Sequence, residues 1–171
     1  AGHQYMWGVV QWREGLVAVG SAGDADEADG SDAAVWTSAD GIAWSRVGGD
    51  EEVFGGPGWQ RMEAVVAGGP RLVAAGVDTD ESGQARVAIW TSADGAQWSR
   101  SPDDGWAFAG SSAVDVHSLV KTGDGFVAVL WDRGPVALIN SSDGVNWRRR
   151  DVDLSGFGPP ETRTIFDVAH W

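Results

Sequence analysis

The sequence of 171 residues contains no cysteine, a single lysine, a single tyrosine and no long apolar run. The absence of cysteine excludes disulfides, thiolate metal sites and a cysteine nucleophile, and it leaves the redox compartment open. No apolar run approaches the roughly 20 residues that a membrane-spanning helix needs, so we expect a soluble protein. A charged and then apolar leader is missing from the first residues as well, which favours Ala1 as a processed start.

Positive charge is scarce too. The chain has 12 Lys and Arg against 25 Asp and Glu, which gives a formal net charge of -13. Such a chain repels the phosphate backbone of nucleic acids and the surface of anionic membranes. We therefore expect neither a nucleic acid nor a membrane as partner.

Glycine and tryptophan, by contrast, are abundant, with 25 and 11 residues, and one tryptophan-containing segment is repeated. The three copies read VWTSADGIAW at 35–44, IWTSADGAQW at 89–98 and LINSSDGVNW at 138–147. The final tryptophans are 54 residues apart (44 to 98) and then 49 residues apart (98 to 147), steps that are typical of propeller blades. We place the repeats at about 1–56, 57–110 and 111–159, within a single domain that spans 1–171.

Each repeat reads as four short strands separated by turn residues. In the second repeat the apolar runs fall near 62–66, 72–76, 87–91 and 97–100. The segment 160–171 matches the first strand of a repeat, since Ile165 to Trp171 resembles Met6 to Trp12. The sequence therefore predicts an all-β fold, an incomplete β-propeller of three four-stranded antiparallel blades plus one extra C-terminal strand.

The repeated pattern Ser-x-Asp-Gly-x-x-Trp resembles the Asp-box, or bacterial neuraminidase repeat, of sialidase-like propellers. It has one residue fewer between Asp and Trp than the usual box, and in the third copy Ser141 rather than Ser142 takes the aligned serine position. The resemblance implies that the boxes lie on the outer strands, away from the ligand face. We accordingly expect their tryptophans to pack between blades rather than to bind a sugar.

Asp-Gly between two apolar segments is also a strong hairpin signal. A three-residue loop over 39–41, with Gly41 left-handed, places Trp36 opposite Trp44, whereas a two-residue loop places them on opposite faces. We favour the three-residue loop.

Candidate binding residues lie where the inner strands begin, the end of a propeller that normally carries the ligand. Aligned positions there hold different polar or aromatic residues, namely Tyr5, Arg61 and Asp115, and, two residues later, Trp7, Glu63 and His117. Loop aromatics and a further arginine lie nearby, so the predicted ligand-binding set is Trp59, Arg61, Trp106, His117 and Arg163. In the alternative interpretation, both arginines only pair with neighbouring acids and the two tryptophans cover loop glycines.

The resemblance to sialidases implies a second possible function. Such an enzyme needs three arginines for a substrate carboxylate, and the catalytic residues here would be Tyr5 as nucleophile, Glu63 as its helper and Asp115 as acid/base. The Arg-Ile-Pro signature of that family is absent, and only Arg61 and Arg163 fall at inner-strand starts. Our first choice is a non-catalytic binding or scaffold module for a glycan or other extracellular ligand, in the extracellular space or cell envelope. The alternative is a sialidase-like glycoside hydrolase, or one piece of such an enzyme.

One acidic loop has the spacing of a calcium site. Asp78, Asp80 and Ser82 are followed by Gly83, and they could gather oxygen ligands around Ca²⁺, although the distal bidentate glutamate is missing. The alternative is a solvated charged loop. No other cofactor is expected.

Three blades are fewer than the about 4 to 8 of a closed propeller. Apolar blade faces would remain open, which soluble monomers seldom tolerate. We therefore expect a partner that completes the ring, either a second copy of this chain or another polypeptide.

Overall fold

The computed structural model describes residues 2–23, 30–102, 114–131 and 136–150. Within these ranges the chain forms twelve β-strands, arranged as three separate four-stranded antiparallel sheets, and one helix of four residues. The all-β prediction is confirmed. Nothing helical in the described ranges has the length and apolarity needed to cross a bilayer. The extra strand predicted over 160–171 lies outside the described residues.

Each sheet is a meander in which sequential strands are neighbours. The first sheet consists of β1 (His3–Trp12), β2 (Gly15–Gly23), β3 (Asp32–Ser38) and β4 (Ser45–Arg46). The second consists of β5 (Gln60–Gly68), β6 (Arg71–Thr79), β7 (Ala85–Ser92) and β8 (Trp98–Arg100). The third consists of β9 (Asp115–Thr122), β10 (Gly125–Trp131), β11 (Val136–Ser141) and β12 (Arg148–Arg150). The strands near 62–66, 72–76 and 87–91 are confirmed, because they fall inside β5, β6 and β7.

A short helix that the sequence did not predict, α1 (Glu51–Phe54), joins the first two sheets. Asp50 caps it, since its Oδ1 accepts a hydrogen bond from the backbone N–H of Glu52 at 3.1 Å. The Trp90 indole Nε1 donates to the Val53 carbonyl at 2.7 Å, so the helix is fastened to the second sheet.

The core lies between the sheets, and β5 contacts both β1 and β9. Between the first and second sheets the buried cluster includes Val19, Val35, Met62, Leu72 and Trp90. Between the second and third sheets it includes Val73, Ile89, Phe126, Leu130 and Ile139. Since burying such a side chain contributes about 1.5–3 kcal/mol, these two interfaces are the main source of stability.

The face of the first sheet that points away from the second sheet is partly exposed to solvent. Met62 and Val65 on β5 are 0% and 8% exposed, because they pack against the preceding sheet. The aligned residues of β1, Met6 and Val9, are 45% and 61% exposed. Farther out on the same face Ala18, Ala34 and Trp36 are buried, so the open part is confined to β1.

The Ser-x-Asp-Gly-x-x-Trp segments form three nearly identical turns. In the second turn, Ser92 Oγ accepts from the backbone N–H of Gly95 at 2.8 Å, and the Trp98 indole donates to the Gly95 carbonyl at 3.1 Å. Asp94 Oδ1 accepts the next two N–H groups, of Ala96 and Gln97, at 2.8 and 2.7 Å. In the third copy Ser141 takes the serine role, as predicted.

The glycines of these turns are left-handed as predicted, with φ of 75° at Gly41, 86° at Gly95 and 78° at Gly144. The three-residue loop is wrong. Trp36 pairs with Arg46 rather than with Trp44, and Trp98 pairs with Ser92. The turn is wider because the aspartate holds two N–H groups beyond the glycine, which adds residues before the strands meet.

Candidate functional site

Each inner strand contains a β-bulge at the same place. The pairing register shifts between Met6 and Gly8 in β1, between Met62 and Ala64 in β5, and opposite Val129 and Leu130 in β9. The extra residues are Trp7, Glu63 and His117, the three aligned positions that the sequence picked out. A bulge turns its side chain out of the regular ladder and is frequent beside functional sites.

Arg61 connects two of the sheets at this position. Its Nε donates to Glu63 Oε1 and its Nη2 donates to Asp115 Oδ1, each at 2.5 Å. The guanidinium also lies over two indole rings, 4.4 Å from the ring centroid of Trp59 and 5.5 Å from that of Trp7. Two carboxylates and two aromatic rings therefore hold one cation in place.

Glu63 joins β5 to β9 a second time. Its Oε2 accepts a hydrogen bond from the backbone N–H of Val116 at 2.6 Å, and its side chain is 14% exposed. Burial raises the pKa of Glu63, and this effect outweighs the attraction of Arg61 and the Val116 hydrogen bond, which act in the opposite direction. A buried carboxyl with a raised pKa occurs both in functional sites and in structural ion-pair networks, so Glu63 is a candidate for either role.

Aromatic rings continue from this cluster along β1. His3, Tyr5 and Trp7 form a stacked series, which we call the aromatic ladder, with ring centroids 6.3 and 6.1 Å apart and planes within 14° of parallel. Tyr5 and Trp7 are 53% and 48% exposed. The ladder is thus a series of partly exposed aromatic rings that begins at Arg61.

On the opposite side of the cluster His117 meets Trp131 edge-on, with ring centroids 5.8 Å apart. Trp131, at the end of β10, was not among the predicted residues. It aligns with Ser21 and Val77, so its difference from the other copies was the signal that could have identified it. We call the whole surface the inner-strand site, made of Tyr5, Trp7, Trp59, Arg61, Glu63, Asp115, His117 and Trp131.

The structure thus brings together most of the predicted site residues. Trp106 and Arg163 lie outside the described residues, and their roles stay predictions. Arg61 pairs with neighbouring acids, as the alternative interpretation held, and stacks on Trp59 as well. The Tyr5 ring is stacked between its ladder neighbours, while the two Glu63 oxygens are engaged by Arg61 and Val116.

The acidic loop from Asp78 to Ser82 is a hydrogen-bonded turn. Asp80 Oδ1 accepts from the Ser82 N–H at 2.9 Å, the Ser82 hydroxyl at 2.6 Å and the Gln84 N–H at 3.1 Å. These donors lower the pKa of Asp80. Asp78 accepts instead from Gln60 at 2.9 Å and Arg100 at 2.5 Å. The part of the chain that the structure describes has no group of three or more acidic or histidine side chains suited to a metal, and the calcium site stays a prediction.

Comparison of the sequence with protein-family models and with curated proteins gives no match. Solved structures do match in fold. Fructan 1-exohydrolase IIa from Cichorium intybus aligns with 85% of this chain at 15% identity, with a TM-score of 0.62. A sucrose-6-phosphate hydrolase from Lactobacillus gasseri aligns with 80% at 14% identity, with a TM-score of 0.55. An α-L-arabinofuranosidase from Fusarium graminearum, solved with an iminosugar inhibitor, aligns with 80% at 16% identity, with a TM-score of 0.54.

The chain spans less than half of each of these proteins, 31%, 31% and 44% of their lengths. At such identities the similarity is one of fold. The chain is therefore built from blades of the β-propeller type that these glycoside hydrolases also use.

Proposed function

We propose that this protein binds a carbohydrate at the inner-strand site without cleaving it. The observation that carries the proposal is the junction of exposed aromatic rings with two carboxylates held by Arg61. A sugar has an apolar C–H face that packs on an aromatic ring and a rim of hydroxyls that donate hydrogen bonds. The glycan-processing neighbours support the same class of ligand.

The partners of the carboxylates favour binding over hydrolysis. A glycosidase needs one carboxyl as acid and a second carboxylate as base or nucleophile, placed on either side of the scissile bond. Arg61 bridges Glu63 and Asp115 and occupies the space between them. Tyr5, the nucleophile that the sialidase resemblance implies, is stacked with His3 and Trp7.

A sialidase-like glycoside hydrolase is the second candidate. One observation favours it: burial raises the pKa of Glu63, the residue that would assist the Tyr5 nucleophile, and a raised pKa makes a carboxylate a stronger base. In this case Asp115, once released from Arg61, would be the acid/base.

A panel of immobilised glycans, assayed alongside fluorogenic glycosides, separates the two candidates. We expect binding without turnover, and loss of binding in Trp7→Ala and Trp59→Ala. Ile42→Ala is the matched control, because Ile42 is 87% exposed in an outer turn, away from the site. Turnover that disappears in Glu63→Gln or Tyr5→Phe would contradict the non-catalytic proposal. Absence of both binding and turnover would contradict both candidates.

A further inference from the structure

The charges of the inner-strand site restrict the kind of carbohydrate that it accepts. We infer that the site takes an uncharged saccharide chain, laid along the aromatic ladder, and rejects acidic sugars. This inference rests on the proposed function and adds the ligand's charge and its length. Two independent observations carry it, the engagement of Arg61 by two carboxylates and the extent of the ladder.

Arg61 is already engaged within the protein. Its Nε and Nη2 donate to Glu63 and Asp115, and its planar group lies over Trp59 and Trp7. Its side chain is only 20% exposed. The Nε–Nη2 edge, one of the two that an arginine can offer to a carboxylate, is therefore used by the protein's own acids.

The remaining charge at the site is negative. One guanidinium faces two carboxylates, and Asp115 is the more exposed of the two acids, at 41%. A uronate or sialate placed here would bring a third negative charge beside Asp115, and the chain as a whole carries a net charge of -13. Hydroxyl groups, by contrast, can donate to the unused lone pairs of both carboxylates. The electrostatics thus favour a neutral sugar.

The ladder gives the ligand its length. Trp7 touches the charged cluster through Arg61, and Tyr5 and His3 follow at successive steps of 6.1 and 6.3 Å along β1. A single sugar ring packs on one aromatic ring, and each further sugar unit reaches the next. Affinity should therefore rise with chain length until the ladder is filled.

Titration calorimetry with matched oligosaccharide series tests both parts. The probes are neutral gluco-, xylo- and arabino-oligosaccharides of one to six units, with oligogalacturonides and sialyllactose as acidic counterparts. We expect each added unit, up to about three, to increase the affinity for the best neutral series about threefold to tenfold, the range of an aromatic stacking contact. The acidic ligands should bind at least about tenfold more weakly than neutral ligands of equal length.

Two variants separate the contributions. Tyr5→Ala should abolish the gain with chain length. Ile42→Ala is the control, because Ile42 is 87% exposed in an outer turn and lies outside the ladder. Asp115→Asn removes one negative charge, so it should reduce the difference in affinity between neutral and acidic ligands.

The possible failures are distinguishable. Tighter binding of the acidic series, weakened by salt, contradicts the inference but leaves the proposed function standing. Affinity that is independent of chain length, or a gain with chain length that Ile42→Ala reduces as much as Tyr5→Ala does, overturns the role of the ladder. If none of the neutral or acidic probes binds, the proposed function itself is wrong.

Discussion

Arg61 on β5 and Asp115 on β9 form an ion pair with an N–O distance of 2.5 Å, although they are 54 residues apart in the chain. They occupy the same position in consecutive repeats, so a single structural position supplies both partners. Because Glu63 binds Arg61 and the Val116 N–H as well, the second and third sheets are joined by polar contacts at the end where the site lies. The site and the junction between blades thus depend on the same side chains.

Arg61→Ala should destabilise the protein as well as weaken ligand binding. It removes two charged hydrogen bonds and leaves the buried Glu63 with only its Val116 partner. We expect the free energy of unfolding in urea to fall by about 2 kcal/mol, the usual scale for a hydrogen bond to a charged group. Arg46→Ala, at an exposed position on β4, should change it by less than about 0.5 kcal/mol. An equal loss of unfolding free energy in the two variants would show that the contacts of Arg61 with Glu63 and Asp115 do not stabilise the protein.

The raised pKa of Glu63 predicts how stability depends on pH. The folded state binds this proton more tightly than the unfolded state, so the contribution is complete below the ordinary value of 4.5 and is lost as pH rises through the raised pKa. Glu63→Gln removes this dependence. Urea unfolding from pH 4 to pH 8 should therefore show a steeper decline in wild type than in Glu63→Gln. Glu52 is exposed, so the unfolding free energy of Glu52→Gln should depend on pH as that of wild type does. The same dependence in all three proteins would refute the raised pKa of Glu63.

The aspartates of the Ser-x-Asp-Gly-x-x-Trp turns predict the opposite dependence. Backbone N–H groups of Gln97 and Ala96 lower the pKa of Asp94, so its contribution is present above the ordinary carboxyl range and is lost as pH falls through the lowered pKa. Asp94→Asn keeps an oxygen that accepts from the same N–H groups. We expect Asp94→Ala to melt well below Asp94→Asn at pH 7, and wild type to lose any advantage over Asp94→Asn in acid. A melting temperature of Asp94→Ala equal to that of Asp94→Asn would show that the turn does not need the acceptor.

Gly144→Ala should be costly because φ there is 78° and an added Cβ would lie 2.7 Å from Val73 Cγ2 of the neighbouring sheet. The left-handed backbone alone costs about 1–2 kcal/mol for a residue with a side chain. We expect a loss of at least about 2 kcal/mol of unfolding free energy. Gly48→Ala is the control, since no atom lies within 4 Å of its added Cβ. A loss no greater than that of the control would contradict the tight approach of the two sheets.

Two aligned methionines test which blade faces are covered. Met62 is fully buried between sheets, so Met62→Ala should lower the free energy of unfolding by about 2–5 kcal/mol. Met6 is 45% exposed, so Met6→Ala should lower it by less than about 1 kcal/mol.

The open β1 positions also predict association, with a second copy or another polypeptide covering Met6 and Val9. Light scattering should then give a mass above the 18.0 kDa of one chain, and Val9→Lys should reduce it. A single-chain mass for wild type would refute this expectation.

The sequence predicted the strands and the alignment of repeats because both depend on periodic patterns. Trp44, Trp98 and Trp147 reveal the repeat, and the aligned apolar runs of the inner strands place Trp7, Glu63 and His117, 56 and 54 residues apart, at one level. The bulges could not be predicted, since an extra residue in a ladder has no characteristic side chain. The partners of Arg61 were also undetermined, because Asp115 comes from another repeat and only the angle between sheets brings it close. The wide turn around Asp94 was missed because its hydrogen bonds, and not the Asp-Gly pair alone, fix the loop length.

The three bulges have a consequence for how such a surface can change. A residue that bulges out of the ladder has no counterpart on the neighbouring strand, so its replacement leaves the pairing register unchanged. In this chain the three copies of that position hold an indole, a carboxyl group and an imidazole. The repeat thus combines a position that differs from blade to blade with a turn that recurs in each blade. At the carbohydrate site that we propose, ligand preference can therefore change one blade at a time while the strand pairing stays the same.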